Sequence, residues 1–254
     1  MCHDTNSTPP IFSEPKTVVH LRRQILTSTD QAQFAAFLAK PEELTGTGVV
    51  ILPDIRGLHP FYEQLALHVA EQGHTALAID YFGRTADTAP RDESFQHVEH
   101  ILRVSRQTID ADILTAASFL RSAGGAKCEN VFALGFCFGG RQAFFASAAR
   151  FGFSGVIGYY GALGLYPNGA TGPLQHAADL SAPILGLFGG ADHGISDKDV
   201  AAFDAALTLN GVVHDFVIYP DAPHSFFDIK YSEHAAACAD SWFRVLAFLA
   251  RRDN

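Results

Sequence analysis

The 254-residue sequence has few cysteines, no excess of basic charge and no long apolar run, and each shortage excludes something. The four cysteines stand at positions 2, 128, 137 and 238, with no CxxC pair and no zinc-ligand spacing. Such usage does not make a disulfide framework and fits a reducing compartment. Lys and Arg number 18 against 27 Asp and Glu, a formal net charge of −9. A surface of that sign repels duplex nucleic acid and anionic membranes on average, although a single pocket can still be basic. No stretch of about 18 apolar residues occurs, so no membrane span is expected. The N-terminal MCHDTNSTPPIFSEPK lacks the charged-then-apolar layout of a signal peptide, and the cytoplasm is the expected location. No phosphate loop, metal motif or GxGxxG fingerprint is present, so neither a cofactor nor a metal is expected.

What the sequence does contain is alternation. Hydrophobic residues make up 48% and charged residues 18%, an ordinary globular balance in a chain long enough to bury a large core. Residues 1–15 are polar and proline-containing and read as a loose tail; 16–254 read as one domain without repeats or linkers. Short strands are expected at Thr17–Leu21 and Gln33–Leu38. Apolar runs follow at Gly48–Pro53, Thr75–Asp80, Val131–Phe136, Val156–Tyr160, Ile184–Phe188 and Phe216–Tyr219. Continuous runs of this kind fit strands buried on both faces. Between them, Phe61–Gln72, Phe95–Ser122, Gly140–Ala149 and Lys198–Leu209 have helical spacing, and Ser232–Ala250 closes the chain as a long helix. The fold class is therefore α/β, a mostly parallel central sheet with helices on both faces. In such sheets ligands gather at the carboxyl ends of the strands, so the residues just after each strand matter most.

One of those junctions carries a specific motif. Val131-Phe-Ala-Leu-Gly-Phe-Cys-Phe-Gly-Gly140 runs from an apolar strand into a helix, with Cys137 at the corner. This is the nucleophile-elbow pattern G-x-S-x-G with cysteine in place of serine. Gly135 and Gly139 let strand and helix approach closely, and the helix N-terminus favours a thiolate. A lone cysteine is more often a small core residue. Cys128 and Cys238 keep that reading, because they lack the flanking glycines.

A thiol nucleophile needs a base and an acid that orients it, in the chain order nucleophile, acid, histidine. The strand Ile184–Phe188 leads into Gly189-Gly-Ala-Asp-His-Gly194, which puts Asp192 in a turn at a carboxyl end. Phe216–Tyr219 leads into Pro220-Asp-Ala-Pro-His-Ser-Phe226, which does the same for His224. Asp197 and Asp221 are rivals for the acid role and His193 for the base. The backbone N–H groups of Phe138 and Ile55 are the candidate oxyanion donors.

Taken together, Gly135-Phe-Cys-Phe-Gly-Gly140, Gly189-Gly-Ala-Asp192, His224-Ser-Phe226, Pro53-Asp-Ile-Arg-Gly57, Asp80-Tyr-Phe-Gly-Arg84 and Gly158-Tyr-Tyr-Gly161 resemble the dienelactone hydrolase (carboxymethylenebutenolidase) family of α/β-hydrolases. The resemblance spans about residues 17–250. It implies hydrolysis of small esters or lactones through an acyl-cysteine. It also implies that Asp54, at the position of an acidic residue in the family, helps take the thiol proton, and that Arg84 and Tyr159 lie at the substrate. The family's second carboxylate-binding arginine falls at Asp228, a reversal of charge. Arg56 and Arg141 are the cations left to compensate, and ester binding without an arginine clamp is the other reading. Competing readings are a non-catalytic binding or sensing protein on the same fold, and a redox sensor with Cys128 as resolving thiol. The expected partner is a small-molecule ester, and the expected state a monomer or homodimer.

Overall fold

The computed structural model describes residues 7–166 and 169–251. Strands β1 (Val19–Thr27), β2 (Gln33–Pro41), β3 (Thr47–Leu52), β4 (Thr75–Ile79), β5 (Asn130–Phe136), β6 (Gly155–Tyr159), β7 (Ile184–Gly189) and β8 (His214–Tyr219) form one eight-stranded sheet in the order β1-β2-β4-β3-β5-β6-β7-β8. β1, β2 and β4 pair antiparallel, and every pairing from β4 through β3 to β8 is parallel. The apolar runs account for this: β3, β4, β6 and β7 are buried along their whole length, so each must be covered on both faces.

Helices α1 (Pro60–Glu71), α2 (His97–Ile101), α3 (Arg106–Arg121), α4 (Phe138–Ala146), α5 (Asp197–Leu209) and α6 (Ala235–Leu249) supply the cover. Strand alternation sorts them. Phe132 and Phe136 share one face of β5 and meet Phe248 of α6 and Phe61 of α1. On the opposite face Phe144 of α4 packs near Phe188 of β7 and Phe203 of α5. The register aligns the carboxyl ends: Leu52 pairs with Gly135, Phe136 with Tyr159, Tyr159 with Leu187 and Gly189 with Tyr219. The loops that carry Asp54, Cys137, Tyr160, Asp192 and His224 therefore leave the sheet on one edge.

Three local expectations are corrected. The helix expected over Phe95–Ser122 is two helices, because Ser105 takes an extended backbone and its side chain accepts from Thr108 N–H, starting α3 afresh. β1 runs farther than expected, to Thr27; its side chains are mostly solvated, so burial patterning does not mark its end. Residues 7–15 of the expected loose tail are packed. Thr8 accepts from Ile229 N–H at 3.0 Å, Glu14 C=O accepts from Gln72, and Ser13 accepts from Trp242 Nε1 at 3.3 Å. These bonds satisfy backbone groups that a free tail would leave to water. Residues 1–6, including Cys2, lie outside the described residues.

Candidate active site

The elbow is built by close approach of backbones. A Cβ at Gly135 would run into the Gly139 carbonyl, and one at Gly139 into the carbonyls of Leu52 and Pro53. Their absence lets α4 start directly at the end of β5 and forces Cys137 to φ 53°, ψ −112°. Its amide donates to Tyr159 C=O at 3.0 Å and its carbonyl accepts from Arg141 N–H at 3.1 Å. Such left-handed backbone costs a non-glycine residue about 1–3 kcal/mol and persists only where the surroundings hold it. Cys137 is half-buried, whereas Cys128 and Cys238 are buried under carbonyls and their thiols are pushed up by burial, Cys238 to about 11. Those two are inert core thiols.

Asp192 and His224 meet. His224 Nδ1 donates to Asp192 Oδ2 at 2.6 Å, and Asp192 Oδ1 accepts from Gly194 N–H at 2.8 Å. The two turns are locked together by Gly190 N–H on Tyr219 C=O and Ala191 N–H on Ala222 C=O. Burial alone would raise the Asp192 carboxyl; the hydrogen bond and charge of His224, with the Gly194 amide, outweigh it and hold it below its ordinary value. With Nδ1 engaged, Nε2 is the ring nitrogen left for proton transfer. The rivals Asp197, Asp221 and His193 are all exposed.

Tyr160, quoted in the Gly158–Gly161 motif but given no site role from the sequence, stands between these two halves. Tyr160 is fully buried at φ 36°, and its ring centre lies 4.9 Å from that of His224. Its phenol is held well above the ordinary value by burial, then by Tyr159, Cys137 and Asp54, so the last two lie within its electrostatic reach. Tyr81 is raised in the same way by burial, Asp54, Asp80 and Cys137, and its hydroxyl donates to Pro53 C=O. Asp54 is fully buried: Oδ1 accepts from Arg56 N–H at 2.8 Å, and Oδ2 stands 3.8 Å from His59 Nε2. His59 is itself buried, and among the described residues neither ring nitrogen has a hydrogen-bond partner.

Two expected substrate contacts are corrected. Tyr159 points into the core under α6, stacked on Phe136 at 4.6 Å and beside Phe227 at 5.1 Å. Strand alternation turns it away from the site and leaves Tyr160 there. Arg84 is consumed by two carboxylates: Nη1 and Nη2 donate to Asp112 at 2.6 and 2.8 Å, and Nε and Nη2 to Asp30 at 2.9 and 2.8 Å. A guanidinium so paired has no fork left for a substrate anion. Asp228, at the second arginine position, is buried and accepts from the amides of Thr8 and Lys230, tying down the N-terminal segment.

Ile55 and Phe138, the expected oxyanion donors, both line a cavity of about 640 Å³ whose walls continue through Val104, Ile109 and Phe145. Asp192 and His224 line a separate open cleft of about 440 Å³ with Pro223 and Tyr231. Among the described residues no group of His, Cys, Asp and Glu is placed to hold a metal ion, and no helix is long and apolar enough to cross a membrane.

A parallel sheet with an antiparallel edge, a strained residue at the β5–α4 corner and an acid–histidine pair after the last two strands define an α/β-hydrolase fold. The chain belongs to the dienelactone hydrolase family, whose profile matches residues 34–252. An Escherichia coli (strain K12) protein named "Putative carboxymethylenebutenolidase" is 31% identical over 221 residues, 83% of this chain and 80% of that one. A protein of the same name from Methylorubrum extorquens is 30% identical over 78% of this chain and 69% of its own. Among solved structures, a "Putative Dienelactone Hydrolase" from Klebsiella pneumoniae superposes with a TM-score of 0.80 at 25% identity, covering 92% of this chain and all (100%) of that one. The fold alone extends to an acylaminoacyl peptidase of Pyrococcus horikoshii, at 18% identity and a TM-score of 0.73 over 93% of this chain and 42% of that one.

Proposed function

We propose that the chain hydrolyses small esters or lactones through an acyl thioester on Cys137. The observation that carries this reading is the 2.6 Å contact between His224 and Asp192, on the same sheet edge as a cysteine forced into the elbow conformation. His224 Nε2 takes the thiol proton as sulfur attacks the carbonyl carbon. The amides of Phe138 and Ile55 receive the developing oxyanion. Collapse breaks the C–O bond, and the imidazolium returns that proton to the departing oxygen. Water then gives a proton to His224 and attacks the thioester, the acid leaves, and the proton goes back to sulfur. Asp54, buried and sensed together with Cys137 by Tyr81 and Tyr160, is the carboxylate assigned to help draw off the thiol proton. A thiol attacks an activated ester more readily than an amide, because an alkoxide or phenolate leaves more easily than an amine anion, so esterase activity is favoured over peptidase activity.

The test is turnover of 4-nitrophenyl acetate and of a neutral lactone, with mass spectrometry of the quenched enzyme. An acyl adduct on the peptide containing Cys137, and loss of turnover in Cys137→Ala with unchanged circular dichroism, is the expected result. Wild-type turnover in Cys137→Ala would overturn it.

A further inference from the structure

The two cavities divide an ester between them. Phe138 and Ile55, whose amides are the oxyanion donors, line the 640 Å³ cavity, whereas His224, the proton donor to the departing oxygen, lines the 440 Å³ cleft. At the carbonyl carbon the acyl chain and the leaving oxygen point in different directions, and the leaving oxygen has to come within hydrogen-bond reach of the histidine. The alcohol therefore faces the cleft and the acyl chain the cavity. The walls differ accordingly. Asp192, His193 and Tyr231 line the cleft, and its aliphatic residues among those described are Ala191 and Pro223. The cavity is walled mainly by Ile101, Leu102, Val104, Ile109, Phe138 and Phe145. Its two arginines are already matched. Arg141 donates to the carbonyls of Ala162, Gly164 and Thr171 and lies 3.9 Å from the centre of the Tyr166 ring. Arg106 packs on Phe145 at 3.8 Å, with Arg141 5.5 Å from the same ring and Asp110 3.8 Å from Arg106.

The mouth of the cavity is apolar as well. α2 has no buried residue, and Val98 within it and Leu102 just after it are 56% and 81% exposed. Leu102 and Val104 lie in the link that Ser105 ends by starting α3, and both side chains border the cavity rather than the core beneath the sheet. Apolar side chains held in water at the edge of an apolar cavity gain when an apolar group covers them. We propose that this cavity is an acyl-chain site, which makes the preferred substrates esters of uncharged, medium-length aliphatic acids with small alcohols. Val104 and Leu102 are the specificity-determining residues, at the wall and at the mouth. For the bond cleaved, and for which end of the substrate is the acyl end, the proposal rests on the hydrolase reading above; apolar binding stands on the cavity alone.

Two measurements test this. The first compares two isomers that carry the same hexyl-length chain on opposite sides of the reacting bond, S-ethyl hexanethioate and S-hexyl ethanethioate. Their kcat/KM values are followed by loss of thioester absorbance and taken relative to their rates with free cysteine. The hexanoyl isomer should be preferred by at least about tenfold, since each methylene moved into an apolar site is worth about fourfold. The margin should collapse in Val104→Trp, which fills the cavity, and shrink in Leu102→Asp, which charges the mouth from an exposed position and leaves the core alone. Preference for the S-hexyl isomer, equal rates, or a margin indifferent to both substitutions would overturn the proposal. The second is calorimetry on the Cys137→Ala protein with acetamide, butanamide and hexanamide, which bind without reacting. Affinity should rise with chain length, and less steeply once Leu102→Asp is added; affinity independent of length would overturn the proposal too. Length-dependent amide binding without turnover of either thioester would instead retire the hydrolase reading and leave the apolar site standing.

Discussion

Asp192 and His224, 32 residues apart in the chain, meet at 2.6 Å at the edge where two neighbouring parallel strands end. The contact fixes the imidazole tautomer and stabilises the imidazolium that forms in turnover. Asp192→Asn should therefore lower kcat on 4-nitrophenyl acetate by about 10²–10⁴-fold with a small change in KM. Steady-state kinetics on matched preparations checks this; a loss confined to KM would mean that the pair binds rather than orients.

The same carboxylate gives a pH signature. Its folded-state value is depressed, so its contribution to stability is present above the unfolded carboxyl value of about 3.9 and disappears as pH falls through the lower folded value. Urea midpoints of wild type and Asp192→Asn should differ at pH 7 and converge as the pH is taken below about 4. A gap that widened on acidification would contradict the assigned direction.

Arg84 is a structural cation. Its loss strands Asp112, whose carboxyl burial already pushes upward. Arg84→Ala should cost about 3–5 kcal/mol in urea unfolding, the range expected when one partner of a buried pair is removed. The ratio of kcat/KM for carboxylated over neutral esters should stay unchanged. A collapsed ratio in a fully stable variant would return Arg84 to the substrate.

Asp54, 3.8 Å from the buried His59, shares the electrostatic reach of Tyr81 with Cys137, and the proposed reading makes it an aid to thiol deprotonation. Asp54→Asn should slow alkylation of Cys137 by iodoacetamide at pH 7 by about tenfold or more, with Asp54→Glu restoring part of the rate. If asparagine leaves the alkylation rate alone, Asp54 only caps its loop.

The elbow glycines are fixed by backbone contact. Gly139→Ala drives a methyl into the carbonyls of Leu52 and Pro53, which cannot swing aside as side-chain ends do. The expected result is a loss of about 1–3 kcal/mol with esterase activity lost out of proportion. Thermal unfolding and turnover measured together check it.

The parts of the site legible in the sequence were those that local pattern dictates. Cys137 lies between two glycines at a strand-to-helix change, Asp192 follows the buried run of β7 and His224 the partly exposed apolar run of the edge strand β8, so position after a strand pointed to all three. Arg84 could not be read this way, because its partners Asp30 and Asp112 are 54 and 28 residues distant. Choosing Tyr160 over Tyr159 required knowing which face β6 turns towards α6, which adjacent identical residues do not reveal. The Arg106–Phe145–Arg141 cluster joins α3 to α4 only through the tertiary fold. The break between α2 and α3 was available in principle: the Ser105–Thr108 cap is a local signal inside an otherwise periodic stretch.

Cys137, Tyr160 and Ser225 each adopt positive φ without being glycine; the first is the proposed nucleophile, and the other two adjoin the proposed base His224 in space or in sequence. Gln31, Ala126 and Lys127 do so as well, in the turn between β1 and β2 and the turn before β5, so positive φ by itself does not mark the cleft. Tyr160→Gly would relieve torsion of about 1–3 kcal/mol but empty a fully buried aromatic site at a loss of about 3–5 kcal/mol, so selection for stability alone retains the ring that packs against His224.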